Sequence, residues 1–437
     1  MALELPAARG VGMTPRPTGR GLPLAGHALA FRLDSTGFLM ALARAGGDIV
    51  PFRLGRRKAF LVVHPDLIRA VLVEHAGSFH KGRLMQRARR LLGDGLLTAE
   101  GDAHRAQRKR MHPGFTRARA AEYAACVPAL ARRIAASWPD GDRVDIGAEM
   151  DRLALVTMAG GLLGVDLEGD GRAVAGDLAL LARRAPLLAL PGGALLERLP
   201  IAPIRRVHAA LSRIEAIIAA RPLPPALDPG GHAMSPRERR DEAMTLFMAG
   251  HDTTAASLTW CWHLLATHPM EARRLRAEID TVAGGRDPCP DDVGALRFTS
   301  AVVSESLRLY PPVGRMGRRP VADIEIGGVV LPAGSSVFVS PFVTQRDRRW
   351  FPDPDRFLPA RWLDPAGDRP RFAYIPFGAG PRACIGEQLA RLVAVLALAT
   401  VARDWECIPA RAGRVVPRTL LTVKPKGGLP VIVRRIR

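Results

Sequence analysis

The chain has 437 residues, 48% of them hydrophobic, and a formal net charge of +21 at neutral pH. So much apolar sequence excludes a disordered or fibrous chain and can bury a large core. The positive charge is nearly all arginine, because Lys58, Lys81, Lys109, Lys424 and Lys426 are the only lysines. Such a field attracts anions, whether nucleic acid, acidic lipid or an acidic protein, but no zinc-finger, RNP-like or basic-zipper pattern accompanies it.

The cysteines (Cys126, Cys261, Cys289, Cys384 and Cys407) are odd in number and scattered, which points to a reducing compartment. No secretory pattern opens the chain, and no run of about 18 apolar residues crosses a membrane. A soluble cytoplasmic protein without a transmembrane anchor is therefore expected. Proline- and glycine-rich stretches are short except near the start and at Arg221 to Gly231. The expected organisation is a poorly ordered segment, residues 1–21, followed by one domain, residues 22–437.

In chain order, Asp48 to His64 reads as a strand pair, Ile49 to Phe52 and Ala59 to Val63 around Gly55 to Lys58. Helices are expected at Leu67 to Glu74, Ala103 to His112, Ala118 to Trp138, Met150 to Leu163 and Ile204 to Ala220. The segment Pro222 to Pro236 is short and proline-rich. Next comes the clearest helix, opened by Ser235-Pro236-Arg237-Glu238, a capping box with proline at the first helical position. Apolar nearly all round and running to about Thr267, it spans roughly 45–50 Å at 1.5 Å per residue, so it should be central and buried. Further helices follow at His268 to Ala283 and Ser300 to Leu309, then a β patch with Ile324 to Ile326, Val329 to Leu331 and Ser336 to Ser340, and an apolar helix at Leu389 to Val401. The fold class is mainly α with a minor β region.

Four constellations carry chemistry. Inside the long helix, Ala249-Gly250-His251-Asp252-Thr253-Thr254 is a weak, polar interruption, the kind of local inconsistency that tends to be functional. Glu305 and Arg308 stand three apart on one helix face. His104 and Arg108 do so at a spacing of four. Near the C-terminus, Phe377-Gly378-Ala379-Gly380-Pro381-Arg382-Ala383-Cys384-Ile385-Gly386 sets one cysteine between a glycine loop and a helix start, where backbone amides and the helix terminus favour a thiolate. One thiolate cannot close a zinc site, but it is enough as the axial ligand of haem iron.

This last run resembles the haem-binding loop of the cytochrome P-450 family, Phe-Gly-x-Gly-x-Arg-x-Cys-x-Gly, at every fixed position. The resemblance extends over most of the chain, with Ala249 to Thr253 similar to the family's oxygen-binding groove. It implies the cytochrome P-450 fold, with haem b between the long helix and the helix after Cys384. Cys384 would be the metal ligand, supported by Phe377, Gly378 and Gly386. Asp252 and Thr253 would be catalytic, Thr253 bonding the bound dioxygen and Asp252 feeding protons through water, while Ala249 leaves room beside the iron.

The propionates would fall to His104, Arg108, Arg382 and Arg318, with Arg319 the rival of Arg318. Glu305, Arg308 and Arg361, the last in Phe357-Leu358-Pro359-Ala360-Arg361-Trp362, would form a structural triad. The substrate pocket would be lined by the Phe79 to Leu97 loop, Met248, Ala249, Val313, Met316, Leu420 and Leu421. That lining suits a hydrophobic small molecule, most closely a terpenoid such as a sesquiterpene or carotenoid; a fatty acid is the alternative, favoured if Arg315 or Arg83 faces the cavity. The expected activity is an O2-dependent monooxygenase. No flavin or ferredoxin module follows, so electrons should come from separate proteins, a ferredoxin with its ferredoxin reductase, and nucleic acid is not a partner. A peroxide-driven peroxygenase and a non-catalytic haem sensor are the rival readings.

Overall fold

The structure is a computed structural model, and it describes residues 21–162, 174, 176–178, 180–181, 201–219, 234–364 and 369–436. The expected poorly ordered start, apart from Gly21, and most of the proline-rich segment before the long helix lie outside these residues.

The long helix spans Pro236–Thr267 and opens on the expected capping box. Ser235 accepts from the backbone of Glu238, whose carboxylate accepts from the Ser235 amide in return, which contributes about 1 kcal/mol. Its second half is almost wholly buried, from Thr254 to Leu265 with His263 half-buried. It packs along the helix Ile146–Thr157 and against the helices Arg297–Leu309 and Glu387–Asp404. One large apolar cluster joins these four helices to Arg117–Ala124, Val127–Ala136 and Pro269–Ala283. Gly250 lets Met158 lie close against the helix, because a Cβ there would meet Met158 Cε at 2.2 Å.

The main sheet has five strands in the order Ile49–Leu54, Arg57–Val62, Ser336–Val339, Met316–Pro320 and Phe79–Lys81. Its one parallel pair, Arg57–Val62 with Ser336–Val339, joins two segments far apart in sequence. A three-stranded sheet joins Arg143–Asp145, Pro430–Arg435 and Trp405–Pro409. Two hairpins complete the β structure, Ile324–Ile326 with Val329–Leu331 and Pro417–Thr419 with Val423–Pro425. Among the described residues no helix is long and apolar enough to cross a membrane.

Several expectations change. Ala118 to Trp138 is not one helix: it breaks at Ala125–Cys126, ahead of Pro128 in the first turn of the second helix, where proline is tolerated. Two helical segments end in π-helical turns, Ala70–Glu74 and Met158–Leu162. The stretch Phe79 to Leu97 is not a plain loop, since it holds a strand, Phe79–Lys81, and a basic helix, Arg83–Leu92.

Candidate active site

The cysteine loop is tied by its own backbone. Cys384 N–H donates to Phe377 O at 2.8 Å, Gly378 N–H to Ile375 O at 3.0 Å and Ala383 N–H to Gly380 O at 3.0 Å. Gly380 sits at φ +71°, and a Cβ there would meet Leu72 O at 2.1 Å, so only glycine fits. From the helix Gly101–Met111, Arg108 donates to Ala383 O at 2.7 Å, next to the sulfur. Cys384 is accessible although protein surrounds it closely enough to perturb its ionisation, as befits a thiol facing an interior space.

Burial pushes the Cys384 thiol up, with Glu387 adding to it, and the Gly386 amide and Arg108 offset only part of that. A thiol here ionises when a metal takes it, releasing a proton.

Beside this loop the fold collects positive charge. His104 and Arg318 are buried, and so is Lys81, one strand over from Arg318 in register. Arg382 donates to Ala76 O and Phe79 O, both at 2.8 Å, and to Glu100 at 3.0 Å. Lys81 Nζ reaches three carbonyls, Leu96, Leu97 and Ala99, at 2.7–2.9 Å. Burial, then the neighbouring cations, lowers His104 to about 4 and holds it neutral. Burial likewise lowers Lys81 to about 8, with Glu100 opposing it, and Arg318 to about 10, with Arg382 adding to the effect. Arg319 turns to the opposite face of its strand, toward His80, so Arg318 is the arginine that joins the cluster. Lys81, Arg318 and Arg382 thus converge around Glu100, and the buried Nε of Arg382 has no partner. Buried cations in excess call for buried anions. An accessible interior thiol flanked by that excess fits a haem with its two propionates.

The third group holds the helix Arg297–Leu309 to the segment that precedes the loop. Glu305 and Arg308 are completely buried and doubly bonded at 2.8 Å. Arg361 Nε, the Trp362 indole and the Leu358 amide also donate to Glu305. Burial works against ionisation of Glu305, yet Arg308, Leu358 and Arg361 together keep it below the ordinary carboxylate range. Arg308 spends its remaining donors on the carbonyls of Gln345, Pro354 and Arg356.

In the long helix Thr253 donates to Ala249 O at 2.7 Å, one turn back. Asp252 meets Thr422 and Lys424 on the C-terminal hairpin. Leu420 and Leu421 form the tip of that hairpin and are half-buried, as are Met248, Ala249 and Met316. Met316 lies against Gly378 of the cysteine loop. Val313 is 36% exposed. Arg315 donates to Ser35 and covers the Phe31 ring. Arg83 reaches Gly334 O. A surface cleft lined by Arg274, Glu278, Arg297, Phe298, Leu363 and Asp364 contains none of these groups.

Sequence reasoning overlooked Lys81, Glu100, Thr422 and Lys424 as members of these clusters. Only Lys81 and Lys424 left a signal, as rare lysines in a chain that otherwise uses arginine.

Comparison with known proteins agrees with this geometry. The family model described as Cytochrome P450 matches residues 15–159 and 211–430. The chain is 36% identical to the cyclooctatin synthase of Streptomyces melanosporofaciens, over 92% of each chain. It is 35% identical to the cyclooctat-9-en-7-ol 5-monooxygenase of the same organism, over 94% of this chain and 93% of that one. To the pentalenene oxygenase of Streptomyces avermitilis it is 33% identical, over 92% of this chain and 93% of that protein.

Proposed function

The chain belongs to the cytochrome P450 family, and from that premise we propose that it oxidises a cyclic terpenoid, with residues 22–437 acting as one domain around haem b. It is a monooxygenase of the haem-thiolate class. The observation that carries the reading is the accessible interior thiol of Cys384 beside a buried excess of cations. Haem-thiolate supplies reductive activation of O2 and insertion of one oxygen atom into a C–H bond, the other leaving as water.

The residues divide the remaining work. Cys384 would hold the haem iron through its sulfur, whose charge Gly386 N–H and Arg108 would temper. His104, Arg108, Arg318 and Arg382 hold the propionates, with Lys81 lending charge from behind. Phe377 and Gly378 shape the loop, and Ala249 leaves the distal face open. Asp252 would relay protons from water, and Thr253 would offer its hydroxyl beside it. Met248, Val313, Met316, Leu420 and Leu421 offer an apolar wall, which exchanges water for a hydrocarbon skeleton at about 25 cal/mol per Å2 buried. The names of the two monooxygenating relatives, acting on cyclooctat-9-en-7-ol and pentalenene, together with this wall favour a cyclic terpenoid over a fatty acid. Neither Arg315 nor Arg83 is committed to a substrate carboxylate.

Thr253→Ala should keep the haem spectrum but divert electrons from product to peroxide or water. Product formed per reductant consumed falls several-fold; unchanged coupling would favour the peroxide-driven route. Electrons arrive, on this reading, from an acidic ferredoxin. The net charge of +21 and the exposed Lys109 and Arg117 near Arg108 suit such a partner. Turnover supported by an acidic ferredoxin and its reductase should therefore fall as ionic strength rises from ~0.01 to ~0.5 M, as charges beyond the Debye length are screened. Turnover indifferent to salt would exclude charge-led docking.

A further inference from the structure

Asp252 is held from outside its own helix. Its Oδ2 accepts from Thr422 Oγ1 at 2.6 Å, and its Oδ1 meets Lys424 Nζ at 2.7 Å. The same ammonium donates to Asp151 Oδ1 at 2.6 Å, on the helix Ile146–Thr157. His251 Nε2 stands 3.8 Å from that Asp151 oxygen and is buried without a hydrogen-bond partner. One lysine is therefore shared by two carboxylates, while a hydroxyl two residues earlier secures the other oxygen of Asp252.

The sequence dictates this grip through strand alternation. Thr422 and Lys424 are two apart and present one face of the hairpin to the helix. Val423, between them, fixes the strand by its backbone: its carbonyl accepts from the Trp260 indole at 2.8 Å and its amide donates to Pro312 O at 2.9 Å. Trp260 is itself stacked on Tyr310 at 3.8 Å, so the strand is clamped to the helix two turns beyond Asp252. The hairpin tip, Leu420 and Leu421, leads directly into Thr422.

We propose that Lys424 and Thr422 are the positioning residues of Asp252, fixing its carboxylate at the hairpin, with Asp151 sharing the Lys424 ammonium from the facing helix. The inference rests on Asp252 being the proton carrier of the proposed reaction. Burial alone pushes a carboxyl toward its neutral form, and here Lys424, Thr422 and His251 outweigh that burial. Those groups and Asp151 are the charged and hydrogen-bonding neighbours the structure places around the Asp252 carboxylate. Asp151 and Lys424 are each 30% exposed at the side chain against 15% for Asp252, so the shared lysine lies on the solvent side of the aspartate. A proton taken from water converts the Asp252 carboxylate to the acid, and its delivery into the site restores the carboxylate.

The test is an infrared pH titration of the haem-loaded full chain carrying 13C-carboxyl aspartate, with Asp252→Asn identifying the Asp252 band. Lys424→Met should move the appearance of the Asp252 acid band upward by about one pH unit or more. Lys424→Arg should return it toward wild type, and Thr422→Val should shift it upward by less. The fraction of electrons reaching product should change in Lys424→Met and recover in Lys424→Arg. An Asp252 band that titrates at the same pH in Lys424→Met overturns the proposal. If that variant does not accumulate as folded protein, the same band unmoved in Thr422→Val overturns it. A purely structural role would lower the melting temperature without moving the band. Failure of the monooxygenase reading shows separately, as wild-type protein without haem-thiolate absorption in the same samples.

Discussion

Cys384→Ser should leave a folded protein that binds haem weakly, lacks the thiolate absorption of the ferrous carbonyl form, and has no monooxygenase turnover. The fold tolerates the change because the side chain is accessible and outside the apolar clusters, while the loop is held by backbone bonds that serine keeps. Stability should stay within about 0.5 kcal/mol. Chemistry does not tolerate it, since a serine hydroxyl cannot supply the soft, readily ionised ligand that a cysteine supplies. Surrounding protein also raises the pKa of this thiol, so haem binding must expel a proton and should tighten as pH rises toward the free thiol's value. That pH dependence should vanish in Cys384→Ser. Wild-type haem affinity that is flat with pH would mean that another group is the ligand.

Glu305→Gln should destabilise the fold by about 3–5 kcal/mol, the largest stability loss expected here. Glu305 and Arg308 are both 0% exposed. The amide removes the countercharge of a buried guanidinium and turns an N–H2 donor toward Arg308, Arg361 or Trp362, all of them donors already. Arg308→Lys should cost a comparable amount, because a point charge cannot replace the planar fork that reaches Glu305 and three carbonyls at once. Denaturant midpoints of the two variants give the check. A midpoint within error of wild type in either variant would show that the triad is not what holds this half of the core.

The legible parts of the molecule were those where local chemistry is dense. The capping box at Ser235, the glycine-rich cysteine loop and the spacing from Glu305 to Arg308 each carry their physical reason within a few residues. The strand pair Ile49–Leu54 with Arg57–Val62 was readable from alternation around a glycine turn. What sequence could not show is long-range placement. Phe79–Lys81 is three residues long and becomes a strand only because Met316–Pro320 lies beside it. The helix Arg83–Leu92, rich in arginine, reads as a charged loop until the strand fixes its start. Glu100 is unremarkable in sequence and Lys81 is marked only as a rare lysine; their placement beside Arg382 and Arg318 follows from that same sheet. Lys424 meets Asp252 across 172 positions of sequence, which no local pattern announces.

The most direct test of the account is the visible absorption of purified, haem-loaded protein titrated with cyclic sesquiterpenes and diterpenes, with fatty acids as the comparison set. The account predicts a thiolate-type haem spectrum that shifts to high spin with a cyclic terpenoid, as the skeleton displaces water from the apolar wall at Leu420, Leu421 and Met316. A shift produced by fatty acids and by no terpenoid would contradict the substrate assignment. A protein that takes up haem without a thiolate spectrum would contradict the central claim itself.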